Sequence, residues 1–318
     1  MKVIGLMQFG GPEVLQVIDL PDPHPGPGEV RVRVHAAAVH PSDLAVRASG
    51  YGGRMASRPT PHIPGWDAAG VIDEIGPGAD GRLKIGERVL AVANASADTK
   101  GAYQQLLVVP AASVVRAPAN MDFAAASTLL MNSLTARLGL DAMALRPGQS
   151  LAVTGSAGAL GGYVIQLARA DGLRVIADVS DAPADRELVT RLGAHELVLR
   201  GPGFADRVRS RVPDGVDGLF DAALLNGAAV PAIADGGVLV TVRGWNEPVG
   251  RGIRVFPVLV AAAITDTAKL ERLRDQAEAG VLTARVAQVL PAAQAAEAHR
   301  MLEKGGVRGR LVLDFAGL

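Results

Sequence analysis

Gly155, Gly158, Gly161 and Gly162 stand in the run LAVTGSAGALGGYVIQLARA, where an apolar strand-like segment gives way to residues with helical spacing. Glycine disfavours helix, so four of them at such a turn argue that something must come close to the backbone. A pyrophosphate fits that need. Placed at a helix amino terminus it meets free N–H groups and the positive end of the helix dipole, and side chains on the turn would hold it away. The spacing departs from G-x-G-x-x-G, with Ser156 where the first glycine is expected. The residues expected to line the dinucleotide phosphates are Ser156, Ala157, Gly158, Ala159, Leu160 and Gly161. The alternative is a tight strand-to-helix turn that binds nothing.

The next strand-like run, LRVIADVS, bears on which dinucleotide is held. An acid at its end would bond a ribose 2′-hydroxyl. Asp178 lies one position early for that, and alternation would turn it to the other face. Val179 takes the acid's position and Ser180 follows. A hydroxyl there, with Arg186 one helical turn into the next segment and Arg200 at the end of the third strand, suits a 2′-phosphate, which arginine grips through paired donors. The spacing therefore favours NADPH. If Asp178 faces the ribose instead, NADH is favoured.

These residues need a scaffold, and the chain has the means for one. It has 318 residues, 49% hydrophobic and 20% charged, with a formal net charge of zero. That length suggests about two domains, and the composition is that of a folded chain with ample core. Neutral charge balance gives no reason to expect nucleic acid or an anionic membrane as partner. No cysteine is present, which removes disulfides, cysteine nucleophiles and thiolate metal sites. The run MKVIGLMQFGG lacks the apolar core of a signal peptide, and FPVLVAAAI is too short to span a bilayer; a cytoplasmic protein is expected.

Short alternating runs punctuated by Gly and Pro fill the first 120 residues, as in EVRVRVHAAAV and YQQLLVVP, and predict a mostly antiparallel β domain. From about 121 to 265, strand-like runs (SLAVTG, LRVIADV, HELVLR, GLFDAAL, GGVLVTVRG) alternate with helical ones, which predicts a parallel sheet covered on both faces. Two amphipathic helices and a closing strand, GRLVLDF, complete the chain.

The motifs FGGPEVL, PGPGEVRVRVHAAAVHPSD, IPGWDAAGVIDEIGPG, GAYQQLLVVP, LRPGQSLAVTGSAGALGG and GRLVLDF, in this order along essentially the whole chain, resemble the medium-chain dehydrogenase/reductase superfamily, and within it the zinc-free, ζ-crystallin-like quinone oxidoreductases. The resemblance implies an α/β protein. A GroES-like β-rich catalytic domain comes from both ends of the chain (residues 1–121 and 266–318), with a doubly wound Rossmann dinucleotide-binding domain between (residues 122–265). It implies hydride transfer from NADPH to a quinone or an α,β-unsaturated carbonyl.

Zinc-using members of the family place a cysteine before the Ser-Asp dipeptide and a His-Glu pair after the Pro-Gly turn. The corresponding residues here are His40 and the pair Trp66-Asp67, and the residues 93–103 lack the four cysteines of a structural lobe. His40, Asp43 and Asp67 could in principle supply three ligands. The chemistry of the set favours no metal, with an Asp bonded to backbone and a His near the nicotinamide.

Without a metal, the protein must position donor and acceptor carbons, exclude water and supply hydrogen-bond donors to developing charge. By resemblance His40 takes a position where relatives often carry an asparagine facing the cofactor, Asn132 and Thr135 correspond to residues near the nicotinamide and its ribose, and Tyr51 matches an active-site tyrosine. Ala45 replaces a second tyrosine common in relatives. Tyr51, His40 and Asp43 are thus the candidate catalytic residues, with Tyr51 or His40 as proton donor and water as the alternative. The strand ends FDAALLNG and VRGW add Leu224, Asn226, Arg243 and Gly244 as cofactor contacts. The run RGIRVFPVLVAAAI has no obvious inner place; in the family the matching region pairs across a homodimer interface, and the alternative is a strand within its own domain. A biosynthetic enoyl reductase and an NADPH-binding protein with little turnover remain alternative functions.

Overall fold

The computed structural model describes residues 1–50, 52–53, 55–79, 81–95 and 101–318. Tyr51 lies outside the described residues. The chain divides into two compact units, Met1–Met131 with Ala261–Gly280 and Ala284–Leu318, and Asn132–Val260 with Val281–Thr283.

The first unit is built on a sheet in the order Val286–Pro291, Arg310–Asp314, Glu29–Ala38, Asp67–Ile75, Arg88–Val92, Val114–Arg116, with Leu106–Pro110 also pairing Glu29–Ala38. All pairs are antiparallel except Val286–Pro291 with Arg310–Asp314. Glu29–Ala38 shows why the sequence reads as strand: Val30, Val32 and Val34 are buried at every second position, the period of a half-covered sheet. They join Ile72, Val89, Leu107, Leu311 and Tyr103 in one core. The chain leaves Glu29–Ala38 through Val39 directly into the helix Pro41–Ser49, so this strand fixes where His40 stands. The segment Val286–Pro291 is a strand that the pattern of the sequence alone does not announce. Its burial pattern is mostly exposed, and parallel pairing holds it.

The second unit is a parallel sheet in the order Glu196–Leu199, Arg174–Val179, Ser150–Thr154, Val216–Asp221, Ile233–Thr241, Arg254–Pro257. Ser150–Thr154 is buried throughout, as a central strand covered on both faces must be. Helices Ala159–Ala170 and Pro183–Arg191 lie where the helical spacing predicts them. The order reverses at Ser150–Thr154, the switch point at which open parallel sheets bind ligands at their carboxyl ends. The run expected to pair across a dimer finds a partner inside its own unit. Arg254–Pro257 pairs in parallel with Ile233–Thr241 and forms the sheet edge, with Phe256 42% and the following Leu259 66% exposed. Among the described residues no helix is long and apolar enough to cross a membrane.

Candidate active site

In the second unit the glycine turn sits at the switch point. Gly155 follows Ser150–Thr154 with φ +67°, a conformation natural to glycine. A Cβ on Gly161 would lie 2.3 Å from the Gly155 carbonyl oxygen, so the helix approaches the strand as closely as it does only because Gly161 has none. Gly158 caps the helix amino terminus, which leaves the first-turn N–H groups of Ala159, Leu160 and Gly161 beyond the reach of any in-helix acceptor. This cradle fits a dinucleotide pyrophosphate. Ser156 is committed elsewhere: its N–H donates to Asp178 Oδ1 at 2.9 Å and its hydroxyl to the Val153 carbonyl at 2.9 Å. Asp178, buried at the end of Arg174–Val179, thus braces the turn.

At the neighbouring strand ends, Leu199 pairs with Val179 and the Arg200 N–H donates to the Val179 carbonyl at 2.9 Å. Arg200 therefore stands beside Ser180. Arg186 is 45% exposed, 4.0 Å from Asp181. The Ser180 hydroxyl donates to the buried Asp185 carboxylate. Arg207 steadies this corner by donating to the carbonyls of Leu199, Arg200, Gly201 and Pro202.

Leu224, Asn226 and Arg243 follow the carboxyl ends of the next two strands. They are three of the five non-glycine residues with positive φ among the described residues. Backbone held in that region concentrates at functional sites. Asp221, fully buried, orders this end: it accepts the Thr154 hydroxyl at 2.6 Å, the Ala223 N–H at 3.2 Å and the Asn226 N–H at 2.6 Å. Sequence reasoning did not single out Thr154 or Asp221; the signal is the parallel register that sets them opposite each other. Asn132 and Thr135, three apart on the helix Leu130–Met143 and so on one face, are both buried, and Asn132 Nδ2 has no partner among the described residues.

In the first unit, His40 and Asp43 come together with residues from distant segments. Asp43 is fully buried. Its Oδ2 accepts the His40 N–H at 2.7 Å and the Tyr103 hydroxyl at 3.1 Å, and its Oδ1 accepts the Gly65 N–H at 2.9 Å. Burial raises its pKa against these stabilising donors. Tyr103 in turn lies 3.4 Å from His299 Nε2. His40 Nε2 lies 3.2 Å from Asp67 Oδ2, and both oxygens of Asp67 accept the Met131 N–H, at 2.9 and 3.1 Å. Burial holds the His40 pKa down to about 3 and pushes Asp67 up to about 8, with Arg310 adding to the first shift and opposing the second.

These residues do not fit a zinc ion. His40 and Asp67 are turned on each other, the oxygens of Asp43 are taken by backbone and phenol donors, and among the described residues no group of three His, Cys, Asp or Glu side chains could hold a metal.

The chain matches the alcohol dehydrogenase GroES-like domain over residues 26–119 and the zinc-binding dehydrogenase family over residues 192–313. It is 27% identical to a quinone oxidoreductase of Rattus norvegicus over 329 aligned positions, covering 98% of this chain and 97% of that one. It is 30% identical to an NADPH-dependent alkenal/one oxidoreductase of Arabidopsis thaliana, over 79% of this chain and 64% of that one. Among solved structures, an NAD-dependent alcohol dehydrogenase superposes with a TM-score of 0.87 at 29% identity, covering 99% and 100% of the two chains. A mycobacterial protein complexed with NADPH gives 0.87 at 26%, covering 99% of each. With a GroES-like domain at one end, a parallel sheet turning on glycines and full-length quinone oxidoreductase relatives, the chain belongs to the medium-chain dehydrogenase/reductase superfamily and is an oxidoreductase.

Proposed function

We propose that the protein is an NADPH-dependent, zinc-independent reductase of quinones or of the C=C bond of α,β-unsaturated carbonyls. The observation that carries the reading is the cradle of the second unit, where Gly155 and Gly161 clear the backbone and the first turn of the helix Ala159–Ala170 offers its N–H groups. When bound there, the cofactor supplies a hydride. Ala157, Gly158, Ala159, Leu160 and Gly161 hold the pyrophosphate, and Ser156 shapes the turn. Arg186 and Arg200 pair with the 2′-phosphate beside Ser180. Asn132, Thr135, Leu224 and Arg243 orient the nicotinamide end. His40, fixed by Asp43, supplies a proton, and Tyr51 is the second candidate for that role. The relatives described as quinone oxidoreductase and alkenal/one oxidoreductase support this substrate class. A homodimer through the edge strand Arg254–Pro257 would cover Phe256 and Leu259, and light scattering at micromolar concentration reads it as a doubled mass.

Fluorescence titration of NADPH and NADH against the wild type, Arg186→Ala and Arg200→Ala tests the cofactor reading. NADPH is expected to bind more tightly, and each substitution to cost about 1–3 kcal/mol toward NADPH while leaving NADH unchanged. Equal binding of both nucleotides by all three proteins overturns the 2′-phosphate assignment. Turnover on a panel of quinones and enones then tests the chemistry; binding without turnover overturns the reductase reading.

A further inference from the structure

His40 poses a problem of hydrogen bonding. Its ring is fully buried and neither nitrogen has an aligned hydrogen-bond partner among the described residues, but Nε2 lies only 3.2 Å from Asp67 Oδ2, a small turn of the carboxyl from a hydrogen bond. Neutral imidazole carries its hydrogen on one nitrogen or the other, so Asp67 decides which. If Asp67 is a carboxylate, Nε2 bears the hydrogen and Nδ1 is a buried acceptor. If Asp67 is a carboxylic acid, it donates to Nε2, and Nδ1–H becomes a donor waiting for an oxygen. Asp43, three residues from His40, makes the contrast. It receives two backbone N–H groups and a phenol. Asp67 receives the single N–H of Met131, shared between its two oxygens. A buried carboxylate with so few donors is costly to charge.

We propose that Asp67 stands as a neutral acid that donates to His40 Nε2 and locks His40 in the Nδ1–H tautomer, so that the pair holds the proton which reduction consumes. The inference rests on the reductase reading above and names the residue that makes His40 a donor. Hydride addition to the β-carbon of an enone leaves an enolate. The Nδ1–H bond of His40 breaks and its proton goes to the enolate oxygen as the Asp67 O–H proton passes to Nε2; afterwards Nδ1 takes a proton from water and the Nε2 proton returns to the Asp67 carboxylate. His40 is neutral before and after, with its hydrogen moved from Nδ1 to Nε2 until Asp67 is recharged. Asp67 is a positioning residue and proton store. Other charged groups face the pair: Arg310, from the strand Arg310–Asp314, acts on both members, and Asp43, from the helix Pro41–Ser49, acts on His40. Arg310 favours the ionised form of Asp67; burial outweighs it and places the Asp67 pKa at about 8.

The test is the tautomer of His40, read from nitrogen shifts and two-bond couplings in NMR of the full chain labelled at its six histidines, with His40→Gln identifying the signal. The measurement needs neither cofactor nor turnover. At pH 6.5 the Nδ1–H form is expected, giving way to Nε2–H as the pH passes 8. In Asp67→Asn, whose amide donates to Nε2 with no proton to lose, Nδ1–H should persist across that range. An Nε2–H tautomer in the wild type at pH 6.5 overturns the proposal even if Asp67→Asn does not fold. Steady-state kinetics on an enone give the second reading. His40→Gln is expected to lower kcat at least tenfold with KM within about twofold. Asp67→Asn is expected to lower kcat and abolish its fall above pH 8. An unchanged enone kcat in His40→Gln overturns the proton-donor role while leaving the cofactor titration, and with it the reductase reading, intact.

Discussion

Asp43 and Asp221 are chemical twins in different neighbourhoods. Each is a fully buried carboxylate that accepts three hydrogen bonds. The donors to Asp221 are two backbone N–H groups within five residues and a threonine on the adjoining parallel strand. The donors to Asp43 lie three, 22 and 60 residues away. Asp221 orders a loop at the end of one sheet; Asp43 ties the start of a helix, the turn before Asp67 and the segment of Tyr103 into one knot. The lesson is that a turn at a sheet end can be ordered largely by local backbone, whereas the polar knot of the first unit needs side chains and backbone delivered from far apart.

Truncation tests the twinship directly. Asp43→Ala strands three buried donors and is expected to cost about 3 kcal/mol or more; Asp221→Ala strands one buried and two part-buried donors and is expected to cost less, about 1–3 kcal/mol, both measured from urea midpoints. Asp221→Ala should weaken nucleotide binding, and Asp43→Ala should spare it while lowering enone turnover. Equal damage to nucleotide binding by both would erase the distinction. Next in size is Gly161→Ala. Its Cβ would meet backbone oxygen at 2.3 Å, so overpacking of about 1–3 kcal/mol is expected, read as a lower melting temperature together with a loss of NADPH affinity.

His299 offers a pH version of the comparison. Burial, helped by Arg47, lowers its pKa to about 3. The unfolded chain protonates this histidine near pH 6.5 and the folded chain only near 3, so its contribution to stability is lost as pH falls through that interval. Asp67 works in the opposite sense, since its folded pKa is the raised one: its contribution falls as pH rises from about 4 to 8. The two partly cancel in the wild type. The stability difference between wild type and His299→Gln isolates the first, and should change by about 1.4 kcal/mol per pH unit below 6.5; a flat difference between pH 6.5 and 4.5 refutes it. Smallest is Tyr103→Phe, which removes one hydroxyl between Asp43 and His299, with a cost of about 1 kcal/mol in the urea midpoint.

Much of the second unit was legible in the sequence because its signals are short-range. Apolar runs such as Ser150–Thr154 and the glycine turn sit within 12 residues of each other, and strand-helix alternation implies the parallel sheet. Asp178 shows the limit. Alternation turned it away from the ribose position, yet nothing in the spacing says that it receives the Ser156 N–H. In the first unit the β pattern was equally plain, whereas the polar knot was not. Nothing in the spacing singles out Tyr103 or His299; His40 and Asp43 stand out as candidate catalytic residues, but Asp67 only as the counterpart of a zinc ligand. The pairing of His40 with Asp67 depends on the antiparallel register that brings residues 67 and 40 to the same place, which no local pattern encodes.

The interleaving of the two units carries a consequence for synthesis. The second unit lies almost wholly within Asn132–Val260, whereas in the first the last residues of the strand Glu29–Ala38 gain their second neighbour only with Arg310–Asp314, as in the hydrogen bond from the Val39 N–H to the Leu311 carbonyl. Domains fold as units while the chain emerges from the ribosome. The second unit is therefore complete first, and the sheet of the first stays open beside residues 36–38 until Arg310–Asp314 has been made. A nascent chain in that interval is exposed to edge-to-edge association, which makes the closing strand a determinant of yield as well as of structure.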